Sequence, residues 1–167
     1  SGNIDCGTAT LVLGTGTTAT TVGTLTYTAG TVIGNFKRWI NATSPTTWLF
    51  PIGTSTDNQK ALLTFTNLTN GAITGKFIAS NPGSAGLPLA DAGVNIFNAF
   101  TEGYWSLIAS DGLASTNYAL ELTGNNFTSY TQDAGTRILK RPDGGGNWTL
   151  NGTHVAAVGA TAKRSGL

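Results

Sequence analysis

The chain of 167 residues carries nine Lys and Arg against eight Asp and Glu, a net charge of +1, and only 10% of its residues are charged where about a quarter is usual. Charge so sparse and even argues against nucleic-acid binding by counterion release and against attraction to an anionic membrane. No apolar run approaches the roughly 20 residues that span a bilayer, and Cys6, the only cysteine, supports no intrachain disulfide.

Thr, Gly, Asn and Ser replace the missing charge, while four Trp, four Tyr and seven Phe are enough to anchor a core. The length suits one domain, residues 1–167. The chain lacks Met and begins Ser1-Gly2-Asn3, as expected of a chain whose targeting segment has been removed. Uncharged polarity of this kind fits an extracellular or cell-surface protein.

In chain order, residues 1–35 are rich in Thr and Gly, with Asp5 their only charge. Ala9, Leu11 and Leu13 alternate with Thr8, Thr10 and Val12, the period of two of a half-buried strand. Next, Ala19, Thr21, Gly23, Leu25 and Tyr27 share one face and Thr18, Thr20, Val22, Thr24, Thr26 and Thr28 the other. This predicts a second strand, because β-branched residues suit the pleat. Thr31 to Ile40 is a third. Its end, Phe36-Lys37-Arg38-Trp39-Ile40, and the run Thr46 to Phe50 flank Asn41-Ala42-Thr43-Ser44-Pro45, predicting a hairpin-like unit with a wide loop. Pro51 cannot donate to a ladder and marks the strand end.

Lys60 to Thr66 reads as a central strand, and Asn70-Gly71 as a tight hairpin turn into Ala72 to Ser80. Residues 81–93 form a long loop. Val94 to Phe100 and Tyr104 to Ala109 are strands, and Asp111-Gly112 turns the chain towards Tyr118 to Leu122. Arg137 to Arg141, Trp148 to Leu150, His154 to Val158 and Ala160 to Lys163 complete the series. No segment sustains an apolar period of 3.6. The expected fold is therefore all-β with no long helix, an antiparallel β-sandwich of immunoglobulin-like, Greek-key or jelly-roll type.

The stretches Phe36-Lys37-Arg38-Trp39-Ile40, Trp48-Leu49-Phe50-Pro51-Ile52-Gly53-Thr54, Gly103-Tyr104-Trp105-Ser106-Leu107 and Thr136 to Arg141 leading to Asn147-Trp148-Thr149 resemble, in this order, β-sandwich modules of large surface and secreted proteins exported by bacterial type IX secretion. The resemblance covers roughly residues 30–167. It implies a non-catalytic extracellular module of adhesins and cell-surface structural proteins. Such modules usually run past a segment like Ala162 to Leu167 into one more apolar strand, whereas this chain stops at Leu167.

An uncovered sheet edge at one end and a nearly uncharged strand at the other suggest assembly by β-strand addition, in which main-chain bonds hold a peptide whose alternate side chains enter pockets. Residues 1–13 are the candidate exchanged strand. Ile4, Ala9, Leu11 and Leu13 are its candidate assembly residues, and other copies of the chain are its partners. Head-to-tail contacts of this kind do not close by symmetry, so the expected product is a filament. The alternative, from a different functional class, is a carbohydrate-binding module that takes surface glycans on exposed rings. Among Trp48, Trp105, Trp148, Tyr104 and Tyr118, Trp148 beside its glycine-rich turn is the ring expected to be exposed.

Catalytic patterns are weak. His154 is the only histidine, with no nucleophile elbow or His/Cys cluster to serve. Glu102 and Glu121, with Asp111, would form an acid-base pair only if folded to a suitable separation. Asp57-Asn58, Asp111-Gly112 and Asp143-Gly144 read as turns rather than calcium loops. No metal, cofactor or enzymatic activity is expected. The Thr face of residues 18–28 would need several regular parallel strands to order water on ice. Asn41, Asn67, Asn126, Asn147 and Asn151 each open an Asn-x-Thr glycosylation pattern. Cys6 is expected to pack as a small hydrophobe.

Overall fold

A computed structural model describes residues 2–42 and 47–167. The described residues form strands β1 (Ile4–Leu13), β2 (Val32–Ile40), β3 (Thr47–Phe50), β4 (Ala61–Thr69), β5 (Gly71–Ile78), β6 (Leu89–Asp91), β7 (Val94–Ile96), β8 (Tyr104–Ser110), β9 (Ala114–Thr123), β10 (Thr153–Val158) and β11 (Thr161–Ser165), with no helix among them. Two sheets pack as a sandwich, β1-β2-β5-β8 against β10-β11-β9-β4-β3, and β6-β7 is a separate hairpin. All strand pairs are antiparallel except β1 and β2, which run parallel.

The core forms where the two alternating patterns meet. Phe36 and Ile40 of β2 and Ile73 and Phe77 of β5 face Trp48 and Phe50 of β3, Leu63 and Phe65 of β4, and Leu120 of β9, all buried. Phe36 meets Phe50 edge-on at 5.9 Å. Gly75 leaves room for that arrangement, since a Cβ there would stand 2.8 Å from the Phe50 ring. A charged side chain also enters the core. Arg38 is 4% exposed, stacks 5.0 Å from the Trp48 ring and donates from Nη1 to the Leu49 carbonyl at 2.8 Å. Burial pushes its pKa down to about 10. It has no carboxylate partner among the described residues.

Several expected connections change. The runs flanking Asn41 are not two arms of a hairpin. β2 belongs to one sheet and β3 to the other, because Phe36 and Ile40 must face Trp48 and Phe50 across the core. The expected loop at 43–46 lies outside the described residues. Asn70-Gly71 is likewise a corner between sheets, joining β4 to β5. A Cβ on Gly71 would fall 2.2 Å from the Leu113 nitrogen, so this corner packs directly on the one that joins β8 to β9. There Asp111 (φ 53) and Gly112 (φ 85) make the tight turn. Residues 137–141 and 148–150 contribute only a single bridge, Lys140 to Thr149, rather than strands. Val94 to Phe100 shortens to β7.

The predicted strand at 18–28 is absent. Residues 14–22 fold into a compact turn, in which Thr15 and Gly16 donate to the Thr21 carbonyl and Val22 donates to Thr18. Thr18 and Thr21 hydroxyls bond each other at 2.7 Å, so side chains that would have lined a pleat hold the turn instead.

Candidate functional site

β1 occupies an edge position and touches its sheet through a broken ladder. Ile4 pairs with Val32 and Asp5 with Ile33, then pairing resumes from Thr10 with Asn35 to Leu13 with Arg38. Four residues of β1, Cys6 to Ala9, therefore bulge against the single residue Gly34 of β2. The bulge turns at Gly7 (φ 54), whose N–H bonds the Asp5 carboxylate at 2.9 Å. Opposite it stands Gly34 (φ 103); a Cβ there would lie 3.3 Å from Cys6 Cβ and the Gly7 carbonyl.

The bulge decides which β1 side chains face inward. Leu11, Leu13 and Cys6 are half-buried and pack on the core, while Ile4 is 51% and Val12 48% exposed. Ala9 is exposed as well. Of the four candidate assembly residues, the structure brings only Leu11 and Leu13 to the core. Ala9 falls in the bulge, where the pleat no longer fixes direction, and Ile4 precedes it. Beneath β1 lies a cavity of about 250 Å³, lined by Ile4, Leu11, Leu13, Leu25, Tyr27 and Phe36 among others. The strand thus bridges a gap as much as it fills one.

The other edge of the same sheet is β8, with no strand on its outer side among the described residues and Ile108 61% exposed. Next to it an apolar cleft of about 420 Å³ opens between the sheets, lined by Phe100, Trp105, Leu122, Phe127, Tyr130 and Ile138 among others. Its rings form a chain: Trp105 to Phe127 at 5.7 Å, Phe127 to Phe100 at 5.6 Å, Phe100 to Tyr130 at 5.7 Å. Phe97 is 62% exposed at this cleft. Glu102 pins the cleft's loops together by accepting from the amides of Thr128 and Ser129, each at 2.6 Å, and from the Ser129 hydroxyl at 2.7 Å. Partial burial would raise its pKa, but those donors outweigh it and hold the carboxyl down at about 2.

Trp148 is not the exposed ring expected. It is buried, donates from Nε1 to the Gly83 carbonyl at 2.9 Å and lies under the Arg141 guanidinium at 4.3 Å. The adjacent glycine-rich turn folds away on its own hydrogen bonds, with Gly145 and Gly146 donating to Asp143. These bonds lower the Asp143 pKa. Trp48 is fully buried, and Trp105 donates to the Gln59 carbonyl at 2.8 Å.

The carboxylates that could form an acid-base pair are each engaged elsewhere. Glu121 pairs with Lys163 at 3.1 Å, Asp111 with Lys37 at 2.7 Å, and Glu102 holds the loops described above. His154 points Nε2 at the Ala134 carbonyl. Asp91, on the β6-β7 hairpin, binds Arg164 at 2.8 Å and Arg137 at 3.4 Å; the Arg164 hydrogen bond lowers its pKa and ties the hairpin to β11. Asn41 is 1% exposed, which closes that glycosylation pattern to a folded chain. Sequence reasoning missed Gly34 and Phe97. A glycine inside a strand pattern signals a bulge or a close backbone approach, and Phe97 stands between Ile96 and Asn98 with no alternation to bury it.

No family model matches this chain, and comparison with curated proteins and with solved structures finds no match.

Proposed function

We propose that the protein is a non-catalytic extracellular structural subunit that assembles into a cell-surface filament by donating β1 to a neighbouring copy. The observation that carries this reading is the state of β1 itself: an edge strand, broken by a bulge, half-exposed and lying over a cavity. An edge of this kind is a template for pairing with another chain. Leu11 and Leu13, half-buried in the seat, hold the strand with about half of the roughly 1.5–3 kcal/mol that full burial of each would give, before ordering costs. The likeness of the Trp39, Trp48 and Trp105 stretches to type IX surface modules points to the same habitat and to a role in adhesion.

Electron microscopy with light scattering tests the reading. Uniform fibres from the whole chain, lost on deletion of residues 1–13, are expected. Fibres that persist after the deletion would remove β1 as donor. A second reading, a carbohydrate-binding module, draws on Phe97 and Tyr130, both exposed beside the apolar cleft. A persistent monomer that binds a glycan array, and loses binding on Phe97→Ala, would favour it.

A further inference from the structure

The stretch between β1 and β2 has two parts. Residues 14–22 make the compact turn, and Gly23 closes it against β1: a Cβ on Gly23 would lie 2.9 Å from the Gly14 nitrogen and 3.1 Å from Leu13 Cδ1. Gly30 and Thr31 are fixed to the body instead, through Asn58 Nδ2 to the Gly30 carbonyl at 2.6 Å and to Thr31 Oγ1 at 3.1 Å. Between these anchors runs Thr24-Leu25-Thr26-Tyr27-Thr28-Ala29. It alternates exposed threonines with half-buried Leu25 and Tyr27, yet pairs with no strand. It arches over the 250 Å³ cavity, with Leu25 and Tyr27 on its rim.

A connector that merely had to turn would carry the Gly, Pro, Asn or Asp of turns. This one holds a β-branched, period-two sequence bracketed by two glycines at positive φ, Gly23 (76) and Gly30 (99). We infer that Thr24 to Ala29 is a hinge that straightens into a strand when residues 2–23 leave their own body and dock on β2 of a second copy. That is open-ended exchange of an identical element, a low-cost route to assembly because every contact of the closed chain is remade between chains. The seat is already built on each copy. The Gly34 and Gly7 pair, which admits the Cys6 bulge, fixes register so that only this segment fits. Six hinge residues, extended, reach about 20 Å. The inference rests on the filament reading and specifies its acceptor as the β2 edge rather than the β8 edge.

Two single variants in a Cys6→Ser background test it: one carries Thr10→Cys, the other Asn35→Cys, positions paired across β1 and β2. The two are mixed, taken through mildly destabilising conditions at high concentration, returned to native buffer, and treated with a short thiol–thiol crosslinker. Crosslinked dimers between the two chains, confined to the polymer fraction, are expected. Polymer without such dimers, while a Thr10→Cys/Asn35→Cys chain crosslinks only within itself, would overturn the exchange and leave the filament reading standing with another acceptor. Absence of any polymer would overturn both. Thr26→Gly with Thr28→Gly, which removes β-branching from the hinge, is expected to lower polymer yield several-fold without unfolding the monomer. An unchanged yield would overturn the hinge assignment.

Discussion

The β1-β2 ladder and the β4-β9 ladder belong to one sandwich but commit very differently to it. β4 and β9 pair from Ala61 with Leu122 to Phe65 with Tyr118 without a break, and Ala61, Leu63, Phe65 and Leu120 are buried between sheets. β1 has ten residues in strand geometry, none of them buried, and its ladder is interrupted after two pairs. Main-chain pairing by itself is therefore a poor guide to cohesion. What separates the two is apolar area closed to water on the inner face.

Breaking the interior side should give the largest effect. Trp48→Ala, at a fully buried site against Arg38, is expected to cost about 3–5 kcal/mol in denaturant unfolding. The edge should tolerate more. Leu11→Asp weakens the β1 seat in the closed and exchanged forms alike: it is expected to cost the monomer about 1–2 kcal/mol and to loosen assembly through the same contact, whereas Thr10→Asp should change either by no more than about 0.5 kcal/mol. Equal effects of the two substitutions on assembly would remove the assignment of Leu11 to the inward face. Hydrogen exchange sharpens the same contrast without mutation. Amides of β1 should exchange by local opening, whereas those of β4 and β9 should require global unfolding.

A modest effect, far below that at Trp48, concerns the cleft loops. Because the folded pKa of Glu102, about 2, lies below its ordinary 4.5, its contribution is complete above that ordinary value and is lost as pH falls towards 2. After allowance for solvent screening it amounts to about 1 kcal/mol. Glu102→Gln should remove that part of the acid dependence, measured as stability between pH 2 and 6. A variant with an unchanged pH profile would show that the amides of Thr128 and Ser129 contribute nothing through the charge.

Fold class was legible because alternation at Leu11 and at Leu120 records which side of a strand is dry, and the run around Leu63, apolar on both faces, marks a covered central strand. Sheet membership was not. Asn70-Gly71 has the same chemistry whether it closes a hairpin or turns a corner, and only the contact with Leu113 decides. Trp148 was misplaced for a related reason: a glycine-rich neighbour says nothing of whether Arg141 and Gly83 will cover the ring. At the candidate site, the apolar alternation of Leu11 and Leu13 was readable. The bulge that takes Ala9 out of the alternation sits against Gly34, distant in sequence and close only in the fold.

The β4-β9 ladder also sets the tempo at which the molecule is made. Ala61 and Leu122 are 61 residues apart, so the loop closed before these contacts form is long and entropically slow. Ile4 and Val32 close a loop of 28 residues, yet gain little until the sandwich beneath them exists. Refolding after a denaturant jump should then be limited by the interior ladder, and a chain lacking β1 should reach its native fluorescence at the same rate as the whole.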